Sequence, residues 1–149
     1  KAFMQIGMAE VATSGEEARA AGFLTDEDAV VPNGDHIIDM AKQRVLGLAR
    51  GGFTPPRPSK FRLPGQEGVA TVDMQLYGMQ NGGYISEYDR YVGKKLANVL
   101  CGGETNTTGV TSEEKLLELE KEAFMSLCGE EKSRARMKHM LQHNKPLRN

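Results

Sequence analysis

The chain has 149 residues, 39% of them apolar and 26% charged, with a formal net charge of -1. That near-neutral balance lacks the basic excess of an electrostatically driven nucleic-acid binder, and apolar runs of only a few residues exclude a membrane-spanning helix of about 20 residues. The length allows one domain, or part of one, with a buried core. Residues 1–9 read as the middle of a helix, with no charged n-region, long apolar stretch or cleavage site, so a piece cut from a longer protein is expected.

In chain order, the opening helix is expected to reach about Val11. Ser14 followed by Glu17 matches a capping box, so a short second helix starts there and Gly22 supplies its left-handed stop. Ala29, Val30 and Val31 read as one brief strand before the turn Pro32-Asn33-Gly34. Asp35 is placed to cap a third helix whose Ile37, Ile38, Ala41, Val45, Leu48 and Ala49 repeat on one face. Gly51-Gly52 ends it. The segment 53–68 holds Pro55, Pro56, Pro58 and Pro64, each lacking an amide proton, and predicts an extended connector pinned by Phe53 and Phe61.

A fourth helix is predicted over 69–80, with Val69, Val72, Leu76 and Met79 on one stripe. The fifth covers 86–100, capped by Ser86 with Asp89 and turning Tyr88, Val92, Leu96, Val99 and Leu100 inward. A polar loop at 104–110 follows. Thr111 with Glu114 repeats the capping signal and opens a sixth helix with Leu116, Leu119, Ala123 and Leu127 as core candidates, and Gly129 is placed to bend or break it. A seventh, from 130 to about 143, has Met137, Met140 and Leu141 as apolar anchors and stops before Pro146. The eight methionines read mostly as core filling. The fold class is therefore mainly α, with six or seven helices and at most one short strand.

The chemistry-bearing residues are few. Cys101 and Cys128 form no C-x-x-C and read as free thiols in a reducing, cytoplasmic setting. His139 and His143 stand four apart on one helix, close enough to share a metal, but Met140 occupies the position where the zincin pattern needs Glu, so two partly exposed histidines are the expectation and no metal site is assigned. From Lys132 onward there is no acidic residue, while Glu113 to Glu131 are strongly acidic. That gradient reads first as helix-dipole stabilisation with a solvated face, and the functional alternative is a small anion site for a phosphate-bearing ligand. The cluster from Gly78 to Gly83 follows a helix instead of a strand, the wrong context for a dinucleotide fingerprint, and no serine sits in a nucleophile elbow. No catalytic residue is assigned.

Three stretches carry a resemblance. The first runs from Lys1 through Thr13-Ser14-Gly15-Glu16-Glu17-Ala18 to Gly22-Phe23-Leu24, and the second is the tail His139-Met140-Leu141-Gln142-His143-Asn144-Lys145-Pro146. Both resemble the crotonase (enoyl-CoA hydratase/isomerase) family after its catalytic centre. The third includes Gly82-Gly83-Tyr84-Ile85-Ser86, Leu100-Cys101-Gly102-Gly103 and Leu119-Glu120-Lys121-Glu122-Ala123-Phe124. It is similar to multidomain bacterial 3-hydroxyacyl-CoA dehydrogenases that end in a crotonase-like domain. The resemblance implies that 1–52 ends a crotonase-like core, that 53–68 connects, and that 69–149 is a C-terminal helical subdomain. It implies a fatty-acid β-oxidation protein whose whole chain uses NAD and an acyl-CoA thioester, neither cofactor nor reacting group being held by this segment. Lys145 matches a tail lysine that approaches coenzyme A phosphates, often across a subunit boundary, and Met140 matches a position near the adenine. Oligomer contacts are implied as well. The rival expectation is an independent helical module that binds partner helices through its apolar stripes.

Overall fold

The computed structural model describes residues 1–103 and 109–149. The described residues form seven helices and one pair of strands: α1 (Ala2–Gly7), α2 (Gly15–Ala21), α3 (Ile37–Arg50), β1 (Lys60–Leu63), α4 (Gly65–Asn81), α5 (Glu87–Leu100), β2 (Gly109–Ser112), α6 (Glu113–Gly129) and α7 (Glu131–His143). They fall into two compact units, one made of Lys1–Met8 with Pro58–Asn149 and the other of Ala9–Arg57.

In the larger unit α5 is central, packing against α4, α6 and α1, while α7 packs on α6. The reason is legible in α5 itself. Its Ser86 accepts from the Asp89 amide and Asp89 returns the bond to the Ser86 amide, completing the expected capping box. Tyr88 and Ala97 are then buried along it. Leu76 of α4 meets α5 at Gly93, where an added Cβ would lie 2.9 Å from a Leu76 methyl carbon. After α5 the chain turns through Gly102 and Gly103, both at φ +86, a region that costs glycine nothing and other residues much. Strand β2 pairs antiparallel with β1 so that Phe61 faces Thr111.

The smaller unit is held by local polar bonds. Ser14 accepts from the Glu17 amide as expected, but Glu17 reaches to the Thr13 amide and hydroxyl at 2.8 and 2.7 Å instead of to Ser14. Gly22 takes the left-handed stop at φ 88. Arg19 donates to the carbonyls of Thr25 and Asp28, and Asp28 accepts from the Thr25 amide.

Several expectations are corrected. The strand at 29–31 does not form, because the turn before it is consumed by Arg19 and Asp28 and Val30 closes on Gly15 with no strand to pair with. The strands lie instead at β1, inside the extended connector, and at β2. Asp35 does not cap the third helix, since Asn33 accepts from the Asp35 amide and a 3-10 turn at Gly34–His36 precedes α3. Ser112, the last residue of β2, caps α6 in place of Thr111, its hydroxyl accepting from the Lys115 amide. The fourth helix starts four residues early, at Gly65, whose amide donates to the Cys101 carbonyl at 2.9 Å. The first helix ends at Gly7, short of Val11. Gly129 closes α6, and extended Glu130 breaks it from α7. In the polar loop, 104–108 lie outside the described residues, while Gly109 and Val110 belong to β2. Most methionines are exposed, Met79 alone being half-buried, so they are surface and groove residues and not core filling. Among the described residues no helix is long and apolar enough to cross a membrane.

Candidate functional site

Asp89, at the start of α5, uses both carboxylate oxygens. Oδ2 accepts from the Ser86 amide at 2.9 Å, and Oδ1 accepts from Arg136 Nη1, on α7, at 2.8 Å. Arg136 also donates to Asn149: Nε to Oδ1 at 2.7 Å and Nη2 to the backbone oxygen at 3.2 Å. The Ser86 hydroxyl donates to the same backbone oxygen at 3.2 Å, and Asn149 Nδ2 donates to the Lys132 carbonyl at 3.3 Å. Behind this knot the Tyr88 and Ser133 hydroxyls share a buried bond of 2.8 Å. The Arg136 guanidinium lies 4.9 Å and Lys132 Nζ 5.4 Å from the Tyr88 ring centroid, within cation-π range. Burial pushes the Asp89 carboxyl up, but the bonds from Ser86 and Arg136 outweigh it and hold the group below its ordinary value.

This corrects the expectation for α7. Met137 and Met140 are exposed and Leu141 is 88% exposed, so the apolar anchors do not anchor. The helix is fastened by Ser133, Arg136 and Lys132 instead. A polar fastening leaves no mark on hydrophobic periodicity, which is why sequence reasoning missed it. Asp89 was visible only as a cap, and the Tyr88 partner lies 45 residues away.

The second feature is an apolar trough of about 910 Å³ among α1, β1, α5 and α6. Phe3, Ile6, Phe61, Leu96, Leu116 and Leu127 line it, with Leu117 and Phe124 more than half exposed at its side. Lys95 and Lys1 face it together with Glu113 and Glu120. A smaller cavity of about 150 Å³ lies between α1, α4 and α5, with Asp89 and Arg136 among its lining residues.

Met140, in the last turn of α7, and Lys145, two residues beyond its end, are the two sequence-derived binding residues, and both are exposed. The Asn144 amide donates to the Met140 carbonyl at 2.8 Å, and Asn144 sits in the left-handed region at φ 51. Lys145 follows directly and is exposed. Neither residue lines the trough.

The chain is 45% identical over its whole 149 residues to the "Probable 3-hydroxyacyl-CoA dehydrogenase" of Bacillus subtilis (strain 168). It spans 19% of that relative's length. It is thus the counterpart of one segment of the Bacillus protein. No protein-family model and no solved structure matches it.

The other chemistry-bearing residues are placed as follows. Cys101 is buried and Cys128 half-buried, both as free thiols, and burial pushes the Cys101 thiol up, away from the reactive thiolate. The His139 and His143 rings lie 4.5 Å apart, and no group of three or more metal-ligating side chains occurs among the described residues. The glycines after α4 have their amides engaged: Gly82 donates to Gly78 and Gly83 to Gln80, each at 3.0 Å. A helix C-terminus also presents carbonyl oxygens, which repel a pyrophosphate. These residues do not fit NAD.

Proposed function

We propose that the chain is a supporting segment, in a crotonase-like region, of a fatty-acid β-oxidation protein related to 3-hydroxyacyl-CoA dehydrogenase. In this reading it helps to bind an acyl-CoA thioester and to join copies of the protein, while the reacting groups lie elsewhere in the whole chain. The observation that carries the reading is the identity running from end to end of this chain with one fifth of the Bacillus relative. The chemistry of the whole protein would be hydration or isomerisation of an enoyl thioester, with backbone amides stabilising the enolate oxygen and carboxylates handling the proton, alongside NAD-dependent oxidation of a 3-hydroxyacyl thioester. In this reading NAD is held by another part of the whole protein.

The charge pattern supports a place for the coenzyme. Lys132, Lys138, Lys145 and Arg148 make no ion pair among the described residues, and no acidic side chain follows Glu131. In this reading Lys145 meets a coenzyme A phosphate as a point charge, and exposed Met140 offers a soft face to the adenine. Assaying the isolated chain beside the full-length protein is the test. The full-length protein hydrates crotonyl-CoA and the isolated chain does not; turnover by the isolated chain above a buffer blank overturns the reading.

The trough favours a second reading, a helical interaction module that receives an amphipathic partner helix. A genomic reading frame that continues upstream of Lys1 into a glycine-rich crotonase core removes it.

A further inference from the structure

We infer that Arg136 is a positioning residue for Lys145, fixing the far end of the tail that carries it. The inference rests on the reading above, in which Lys145 meets a phosphate of the acyl-CoA.

The tail leaves α7 at Asn144, whose amide is bonded to the Met140 carbonyl at 2.8 Å, so its near end is fixed. Its far end, Asn149, is held by Arg136 at 2.7 and 3.2 Å, by Ser86 at 3.2 Å and by its own donation to the Lys132 carbonyl at 3.3 Å. Lys132 lies three turns before His143 on α7, so the tail runs back along the helix that it has just left. Lys145 and Arg148 therefore sit on a short loop closed at both ends. Without the Arg136 bonds Asn149 would keep only the longer contacts to Ser86 and the Lys132 carbonyl, at 3.2 and 3.3 Å, and the cost of ordering the loosened loop would be charged against every binding event.

Arg136 suits the task by its shape. One planar fork reaches Asp89, the Asn149 side chain and the Asn149 backbone together, which the single ammonium of lysine does not reproduce. Its side chain is 23% exposed, as is that of Asp89, so water and salt weaken the pair less than they would a surface contact. Its charge is already matched by Asp89, so its role is to hold the loop, while Lys145 and Arg148 on that loop make no ion pair among the described residues.

The test is titration of the full-length protein with butyryl-CoA, at low and high salt, in Lys145→Ala, Arg136→Gln, Asn149→Ala and the two doubles that include Lys145→Ala. Asn149→Ala removes the two side-chain bonds of the tail's anchor, to Arg136 and to the Lys132 carbonyl, while sparing the Arg136–Asp89 pair, and so covers the case in which Arg136→Gln unfolds. Arg136→Gln and Asn149→Ala should each weaken binding about three- to tenfold. They should also flatten its salt dependence, and adding Lys145→Ala to either should bring little further loss. If Lys145→Ala alone leaves the affinity unchanged, the tail does not touch the ligand and the functional reading falls together with this inference. If Lys145→Ala weakens binding while the other two variants do not, or while their effects simply add, Arg136 does not position Lys145 and this inference alone is overturned.

Discussion

Asp89 caps α5 with one carboxylate oxygen and holds Arg136 of α7 with the other, at 2.9 and 2.8 Å. Two elements far apart in sequence thus depend on one side chain. Asp89→Ala removes both bonds and strands the half-buried guanidinium. A loss of about 1.5 to 3 kcal/mol is expected, the range for hydrogen bonds to charged groups. Asp89→Asn should cost less, because its amide oxygen still accepts one bond. Urea unfolding of the two variants checks the order.

The same group sets an acid limit. Asp89, through Ser86 and Arg136, and Asp73, through Arg90 at 2.8 Å and Lys94 at 3.1 Å, are both held below their ordinary value of 3.8. The unfolded chain therefore takes up these protons at higher pH than the folded one. The stability that they contribute is fully present above 3.8 and is lost as the pH falls through the depressed folded values. Unfolding midpoints measured downward from neutral pH should fall in that acid range, and less steeply in Asp89→Asn.

The buried Tyr88–Ser133 bond yields a non-additive pair. Tyr88→Phe or Ser133→Ala alone leaves one buried hydroxyl without its partner, at a cost of about 1 to 2 kcal/mol each. The double variant should cost clearly less than the sum, since no orphan remains. A double-mutant cycle in urea reads the coupling.

Gly68 leaves no room for a side chain. An added Cβ would meet the Pro64 ring and lie 2.8 Å from Cys101 Sγ, and neither neighbour is the loose end of a flexible chain. Gly68→Ala should therefore destabilise by about 1 to 3 kcal/mol despite its better helix propensity. Gly78→Ala, where nothing lies within 4 Å, is the control and should be neutral or stabilising. Thermal melts of the pair decide it.

What the sequence disclosed follows from what each signal measures. Helical periodicity found Val69, Val72, Leu76 and Met79, and Leu116, Leu119, Ala123 and Leu127, and in the structure these are the better-covered positions of α4 and α6. The Ser86–Asp89 cap was legible because both partners lie three residues apart. The β1–β2 pair was not, since neither four-residue strand alternates clearly and their pairing joins Lys60 to Ser112. Val30 failed for the opposite reason: a β-branched pair looks like a strand, yet a strand needs a neighbour. At the candidate site the basic tail was visible as a charge run, while its fastening was hidden, because Arg136, Ser133 and Asn149 become informative only once Asp89 and Tyr88 are beside them.

The central claim, that this segment helps to hold an acyl-CoA and does not perform the reaction, is tested most directly by steady-state hydration of crotonyl-CoA by the full-length protein with and without Lys145→Ala. Loss of one charge-assisted phosphate contact, worth about 1.5 to 3 kcal/mol, should raise KM at least about tenfold with kcat unchanged. NAD reduction by a 3-hydroxyacyl-CoA should keep its kcat. An unchanged KM, or a fall in kcat at constant KM, would contradict the account.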